Sequence, residues 1–357
     1  MSAEPDEEMH IEEMQIKESE NLSSHSCGYM PRIVAFGGGT GLSTILRGLK
    51  LLVDNITAVV TVCDDGGSSG RIRKDFGILA PGDIRNCLVA LADTEPLMEE
   101  LLQYRFEESD LEGHSFGNLL LTALTRITGD FGSAIKEANK ILKVKGKVLP
   151  STLDRVTLVA IHEDGTKSTG EIEISRSRKP IKEVMLKPLL GKANQEVLDA
   201  ISQADLLVFG PGSLYTSVIP NLLAKDVVET ASSSRAKRVY LCNIMTQPGE
   251  TSGYQASDHV RVILEHTTPD FLDYVIVNTG EVLPHIAEKY SADGSYPVYV
   301  DRENLEKYSY ELVEIDLVSR RAFARHDSTR TAALIMELIV SSLNQASFLH
   351  NKNDTSK

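Results

Sequence analysis

The sequence has no apolar run near the roughly 20 residues that a membrane-spanning helix requires. Its beginning also lacks the basic start and the continuous apolar stretch of a secretion signal, because residues 1–30 are acidic and interrupted. We therefore expect no membrane span, and we predict a cytoplasmic protein.

Cysteine is scarce and scattered along the chain. The four cysteines, Cys27, Cys63, Cys87 and Cys242, lie far apart and form no CxxC pair. Zinc sites and disulfide frameworks depend on cysteines at characteristic close spacings. The sequence therefore implies neither a zinc site nor a disulfide scaffold.

Basic residues are also in short supply. There are 37 Lys and Arg against 51 Asp and Glu, which gives a formal net charge of -14. Binding to a nucleic-acid backbone needs clustered Lys and Arg, so nucleic acid is disfavoured as a partner. A small anionic ligand still fits if its site is locally positive.

The composition divides the chain into an acidic tail over residues 1–30, an α/β domain over 31–346 and a flexible C-terminal tail over 347–357. The acidic tail contains eight acidic residues and one basic residue, Lys17. It offers little apolar surface to bury, so we expect it to be disordered and to contribute nothing to a binding site.

Strand-like apolar runs alternate with helical patterns along the α/β domain. Arg32–Phe36 leads through a glycine turn into a helical pattern, and further strand-like runs occur at Ile56–Val62, Leu206–Phe209, Val239–Asn243 and Tyr274–Asn278. This alternation predicts a mainly parallel sheet with helices on both faces. Ligands on such sheets bind beyond the carboxyl ends of the strands.

One stretch departs from the alternation, at about residues 154–187. Apolar runs at Val156–Ile161, Thr169–Ile174 and Ile181–Leu186 are typical of short antiparallel strands. We expect a small antiparallel insertion there.

The first glycine turn is a candidate phosphate cradle. Residues without Cβ let a ligand approach the backbone, and the free N–H groups of the following helix favour an anion. A tight turn explains the same glycines equally well. A dinucleotide fingerprint fits poorly, because its third glycine position falls on Leu42, although Asp64 at the end of the second strand partly suits it. The candidate residues are Gly37, Gly38, Gly39, Thr40 and Gly41.

The loop after the second strand contains more polar residues than a turn requires. Asp64 and Asp65 could hold a divalent metal, and Gly67, Ser68 and Arg71 could bind phosphate oxygens. The alternative is an Asx-turn with solvated acids. We expect no required cofactor, and the two aspartates make a magnesium ion possible.

Two further loops open helices. Asp83 is suited to capping its helix, and capping alone explains it. Capping does not explain Arg85, because a cation near a helix N-terminus is unfavourable unless an anion lies close by. Asn86 lies in the same first helical turn and is a further candidate.

In the next loop His114 and Asn118 are candidate ligand contacts, although His114 taken alone is better explained as a polar loop residue. Ser115 is suited to capping the helix that follows.

A second strand, glycine turn and helix pattern starts at Gly210 and predicts another anion or ribose site. Its candidate residues are Gly210, Gly212, Ser213, Tyr215 and Thr216. The polar loop over residues 242–250 follows the next strand and could contact a base or a sugar, or could only satisfy the loop backbone.

The motifs together resemble the YvcK/CofD-like family, because GGGTG, DDGGSSGR, PGDIRN, GHSFGN, FGPGSLYTSVIPNLL, CNIMTQPGET and ARHDS occur in that order. The resemblance covers about residues 31–345 and implies a Rossmann-like three-layer α/β/α sandwich. It places Asn221 and Arg325 at positions implicated in UDP-sugar binding. For Arg325, a surface salt bridge is the alternative.

The resemblance implies two functional branches. CofD proteins transfer a phospholactyl group from a guanosine-diphosphate-linked donor to the deazaflavin Fo with magnesium. YvcK proteins bind UDP-sugars without an established reaction and support cell shape and wall synthesis during gluconeogenic growth. MTQPGET and the terminal RHD bring this sequence closer to YvcK. We expect a gluconeogenesis factor that binds a UDP-sugar and that could form a homo-oligomer. A phospholactate transferase and an NAD(P)-dependent enzyme are the alternatives.

Overall fold

The computed structural model describes residues 30–189, 191–319 and 323–354, with side chains described up to residue 342. The predicted acidic tail lies outside the described residues, apart from Met30.

Seven parallel strands form the central sheet, and three antiparallel strands form a small second sheet. The strands of the central sheet are β1 (Ile33–Gly37), β2 (Ile56–Val60), β3 (Lys147–Pro150), β7 (Leu206–Phe209), β8 (Lys237–Leu241), β9 (Tyr274–Asn278) and β10 (Glu311–Ile315). The small sheet contains β4 (Thr157–His162), β5 (Lys167–Thr169) and β6 (Ile181–Lys187). The predicted mainly parallel α/β fold with an antiparallel insertion is confirmed.

Helices connect the strands and cover both faces of the central sheet. They are α1 (Gly39–Leu49), α2 (Gly67–Phe76), α3 (Gly82–Leu91), α4 (Pro96–Gln103), α5 (Phe116–Thr128), α6 (Phe131–Ile141), α7 (Glu171–Ser177), α8 (Gln195–Gln203), α9 (Ile219–Leu222), α10 (Val227–Ser233), α11 (Ala256–Glu265), α12 (Pro284–Ala292), α13 (Arg302–Leu305) and α14 (Ser328–Asp354). A π-helical turn, Leu214–Val218, precedes α9. The last helix continues past the boundary predicted at residue 346.

Burial explains why the central strands are apolar throughout. Every residue of β1 and β7 is buried, as expected for parallel strands that helices cover on both faces. Phe36 and Phe209 stack across these two strands with ring centroids 4.9 Å apart. The helix that follows β1 buries Leu42, Ile45 and Leu49, which recur at helical spacing.

The strand order of the central sheet is β10-β9-β8-β7-β1-β2-β3. From β1 the chain adds β2 and β3 in one direction, and from β7 it adds β8, β9 and β10 in the other. The order therefore reverses between β1 and β7. In open α/β sheets such a reversal leaves a crevice at the carboxyl ends of the two strands, where ligands bind.

The insertion differs from its prediction at one element. The run Thr169–Ile174 was expected to be a strand, but β5 ends at Thr169 and helix α7 begins at Glu171. Gly170 between them has a φ of 93°, which favours glycine and turns the chain out of the strand. The alternating Glu and Ile residues thus lie on a short helix.

The described helices include none with the length and apolar character that a bilayer crossing demands.

Candidate functional site

The two predicted glycine turns lie side by side at the reversal of strand order. The turn after β1 leads into α1, and the turn after β7 leads into the π-helical turn. Their backbones touch, because a Cβ added to Gly41 would lie 2.6 Å from the carbonyl oxygen of Pro211. Glycine at residue 41 is therefore needed for this contact between the turns.

An open cleft of about 490 Å³ lies over the two turns. It contains eight of the predicted site residues, which come from the two glycine turns, from α3 and from the segment before α14. These residues are Gly38, Gly39, Thr40, Gly41, Asp83, Gly212, Ser213 and Arg325.

The cleft also contains polar residues that were not predicted individually. Asn243, Thr246 and Gln247 belong to the loop after β8, whose position at a strand end was the available indication. Glu171 and Ser295 carried no such indication, because the fold brings them from the insertion and from a loop distant in sequence.

The first turn of α1 is the strongest anion-binding feature of the cleft. Its N-cap is Gly38, which provides no side-chain hydrogen bond, and the turn contains no acidic residue. The unpaired N–H groups and the helix dipole at such an end favour a negatively charged group. Such a helix end can bind an anion such as a phosphate.

Two carboxyl groups lie close to this helix end. Asp83 does not cap its own helix as predicted, but accepts a hydrogen bond from the backbone of Gly39. Burial, and then the charge of Asp64, raise the pKa of Asp83 to about 7. Burial, Asp64 and Asp83 raise the pKa of Glu171 to about 9. Glu171 is therefore largely protonated at neutral pH, which limits its repulsion of an anion.

Arg325 and His326 form another part of the cleft wall. Arg325 is exposed, and its guanidinium carbon lies 4.8 Å from the centroid of the Phe323 ring. His326 is buried and hydrogen-bonds the backbone of Cys242, while burial lowers its pKa to about 4. His326 is therefore neutral at pH 7, and among the described residues that line the cleft Arg325 is the basic side chain that carries a positive charge.

Tyr215, Thr216 and Asn221 support the cleft from below. The buried carboxyl group of Glu250 accepts hydrogen bonds from the Tyr215 N–H at 3.2 Å and from the Thr216 hydroxyl at 2.9 Å. Asn221 is buried and donates to the carbonyl oxygen of Gly37 at 3.0 Å. These three residues hold the two turns in place, and their side chains are not part of the described cleft wall.

The paired aspartates bond to backbone amides. Asp64 accepts from the Gly66 N–H at 2.8 Å, and Asp65 accepts from the Ile172 N–H at 3.0 Å. The described residues contain no group of three or more His, Cys, Asp or Glu side chains arranged to hold a metal ion. The magnesium site remains a prediction.

The other predicted polar residues form a separate hydrogen-bonded cluster between α2, α3 and α5. The Ser68 hydroxyl lies 3.0 Å from Nδ1 of His114, and Asn118 donates to the same hydroxyl at 3.1 Å. Arg85 bonds Ser115, Asn118 and Asn86, and Arg71 donates to the Glu112 carbonyl. The Ser115 hydroxyl caps α5, as expected. None of this cluster is among the described residues of the cleft wall.

This geometry defines a class of protein: a doubly wound α/β protein with an anion-binding cleft at the reversal of its parallel sheet. The model of the family described as "2-phospho-L-lactate transferase CofD" matches residues 33–318. The chain belongs to this YvcK/CofD-like family.

Relatives and solved structures agree with this assignment. The chain is 47% identical over 314 residues to the gluconeogenesis factor of Bacillus subtilis, covering 87% of this chain and 99% of the relative. It is 47% identical to the gluconeogenesis factor of Halalkalibacterium halodurans, covering 85% of this chain and 95% of the relative. A crystal structure of a UPF0052 family member from Bacillus halodurans is 46% identical, with a TM-score of 0.84 over 88% of this chain and 100% of that chain.

Proposed function

We propose that the protein is a nucleotide-sugar-binding regulator of the gluconeogenesis-factor type and that its ligand is a UDP-sugar. The observation that carries this proposal is the glycine-rich first turn of α1, which contains no acidic residue and lines the cleft at the reversal of strand order. The two relatives that match this chain at 47% identity are named gluconeogenesis factors, which supports a role in gluconeogenesis.

The position of the ligand follows from the charges of the cleft. The diphosphate lies at the α1 N-terminus, where backbone N–H groups and the helix dipole favour it. Arg325 on the cleft wall supplies charge-assisted hydrogen bonds to the same group. We assign the Ser213 hydroxyl and the Gln247 amide to the uridine and the sugar. The Asn243 amide bonds the backbone of Gly212 and so fixes the turn after β7.

Isothermal titration calorimetry with UDP, UDP-glucose, GDP and NADH tests this proposal. We expect UDP and UDP-glucose to bind, and to bind more tightly than GDP or NADH. Addition of EDTA should change these affinities little, because a helix N-terminus and Arg325 can stabilise the diphosphate without a metal. Tight binding of NADH alone would instead support a nicotinamide-dependent enzyme.

In the cell we propose a cytoplasmic role in cell shape and wall synthesis under gluconeogenic growth. A strain that lacks the protein should grow abnormally on a gluconeogenic carbon source and normally on glucose. Restoration by the wild-type chain, but not by a variant that cannot bind UDP-sugars, is the expected result.

A phospholactate transferase is the second candidate function. The carboxyl groups of Asp64, Asp83 and Glu171 interact electrostatically beside the predicted phosphate position, and the family match extends over residues 33–318. A transferase would use magnesium to stabilise the charge that develops on the transferred group. Magnesium-dependent formation of a phospholactylated deazaflavin, abolished by Asp64→Asn, would favour this candidate over the regulator.

A further inference from the structure

The antiparallel insertion reaches the cleft through a single described side chain. Of the residues that line the cleft, Glu171 is the one that comes from the insertion. It is the first residue of helix α7, and it is partly buried. The insertion therefore presents a carboxyl group to whatever occupies the cleft.

The paired-aspartate loop fixes one side of helix α7. The Asp65 carboxylate accepts a hydrogen bond from the Ile172 N–H at 3.0 Å, next to Glu171. A Cβ on Gly170 would overlap this carboxylate, so glycine is required for the close approach. Asp65 thus holds the backbone that carries Glu171.

The loop over residues 247–250 fixes the other side of the same helix. The Ser175 hydroxyl donates to the buried Glu250 carboxyl group at 3.4 Å. A Cβ on Gly249 would overlap the carbonyl oxygen of Ser175. Because Glu250 also bonds the π-helical turn below the cleft, helix α7 and this turn are connected through one carboxyl group.

The chemistry of Glu171 indicates which part of a ligand it contacts. An ionised carboxylate next to a diphosphate is unfavourable, whereas a carboxyl group in either protonation state forms hydrogen bonds with hydroxyl groups. Burial and the neighbouring acids Asp64, Asp83, Glu250 and Asp65 favour its neutral form. A neutral, hydroxyl-rich group is the part of a nucleotide-sugar that fits these properties.

We propose that Glu171 recognises the sugar hydroxyls of the bound nucleotide-sugar and that Asp65 is the positioning residue that aligns it. This inference rests on the proposed function. It assigns the antiparallel insertion to the discrimination between a nucleotide-sugar and the free nucleotide, and it gives Asp65 an indirect role in place of direct contact with the ligand.

The test compares the affinities of UDP and UDP-glucose by calorimetry. In Glu171→Ala, the ratio of the UDP-glucose affinity to the UDP affinity should fall about fivefold to tenfold, the effect of losing one hydrogen bond. The UDP affinity itself should stay about the same, because Glu171 contacts the sugar and its carboxyl group is largely neutral. Glu171→Gln should preserve most of the ratio, since an amide also bonds hydroxyls. The exposed Glu163→Ala on the same insertion is the matched control and should change nothing.

The role of Asp65 is tested with two variants. Asp65→Ala should lower the ratio of the UDP-glucose affinity to the UDP affinity, as Glu171→Ala does. Asp65→Asn should keep the wild-type ratio, because its amide oxygen can still accept a hydrogen bond from the Ile172 N–H. An equal loss of UDP and UDP-glucose binding in Asp65→Ala would mean that the residue only supports the fold, and would overturn the positioning role.

The two proposals fail in different ways. If UDP-glucose binds to the wild type and the ratio is unchanged in Glu171→Ala, the role of Glu171 is wrong while the proposed function stands. If neither UDP nor UDP-glucose binds to the wild type, both proposals are wrong.

Discussion

At the scale of single residues, the cleft contains more acid than base. Asp83, Glu171 and Asp293 line it together with Arg325, the charged cation among the described residues of its wall. A diphosphate in this cleft therefore depends strongly on one guanidinium group and on the protonation of its carboxyl neighbours.

Arg325→Ala should weaken UDP-sugar binding by about tenfold to a hundredfold, because charge-assisted hydrogen bonds of about 1.5 to 3 kcal/mol are lost. The melting temperature should change little, since the side chain is exposed. Calorimetry with UDP-glucose measures the effect. Arg261→Ala, which removes an exposed arginine that pairs with Asp258 and Glu265, is the control and should bind normally. Normal binding by Arg325→Ala with a lowered melting temperature would make the residue structural.

Asp83 should make stability depend on pH. Burial and Asp64 raise its pKa to about 7, while Arg85 and the Gly39 N–H oppose the rise. The folded-state pKa exceeds the unfolded value of about 4, so protonation of Asp83 favours the folded state. This contribution to the unfolding free energy is complete below about pH 4 and is lost as the pH rises towards 7.

Asp83→Asn removes this titration while keeping the shape of the side chain. The variant's unfolding free energy minus that of the wild type should therefore increase by about 2 kcal/mol when the pH is raised from 5 to 8. Urea unfolding at the two pH values measures it, with the exposed Asp54→Asn as control. The same difference from wild type at both pH values would contradict the raised pKa.

At the scale of elements, the site depends on two turns that pack backbone against backbone. Gly41 lies in the first turn of α1 and faces Pro211 of the turn after β7. A side chain at residue 41 would separate the turns and displace the helix end that we assign to the phosphate.

Gly41→Ala should therefore lower the unfolding free energy by about 1 to 3 kcal/mol, as overpacking does in other cores. Gly212→Ala on the facing turn is the matched control, because its added Cβ would lie 3.4 Å from the Ser217 Cβ, an ordinary contact. Urea unfolding of both variants measures the difference. Equal stabilities would show that the contact between the turns is not tight.

At the scale of the whole molecule, the acidic tail and the folded domain should act independently. Residues 1–30 hold eight acids and one base, a composition that repels a diphosphate and gives no core. Deletion of residues 1–30 should leave the affinity for UDP-glucose and the melting temperature within error of the full chain. A large loss of affinity in the truncated protein would show that the tail takes part in the site.

Much of the architecture was accessible from the sequence. Apolar runs predicted five of the seven parallel strands, because strands buried on both faces are apolar throughout. The edge strands β3 and β10 were not predicted. The same patterns indicated the glycine turns that line the cleft, whereas Arg325 was indicated by the resemblance to the YvcK/CofD-like family. The strand at Thr169–Ile174 was predicted wrongly, because the Asp65 carboxylate, distant in sequence, stabilises the start of a helix there.

The sequence by itself determined the fold class, the turns that end β1 and β7, and the family, because each depends on local patterns and on motifs in a fixed order. Only the tertiary structure decided which polar residues share a site. It placed Glu171 in the cleft, and it grouped Ser68 and His114 in a separate cluster. The physical reason is that side chains converge through strand order and packing between distant segments, and these contacts leave no local pattern in the sequence.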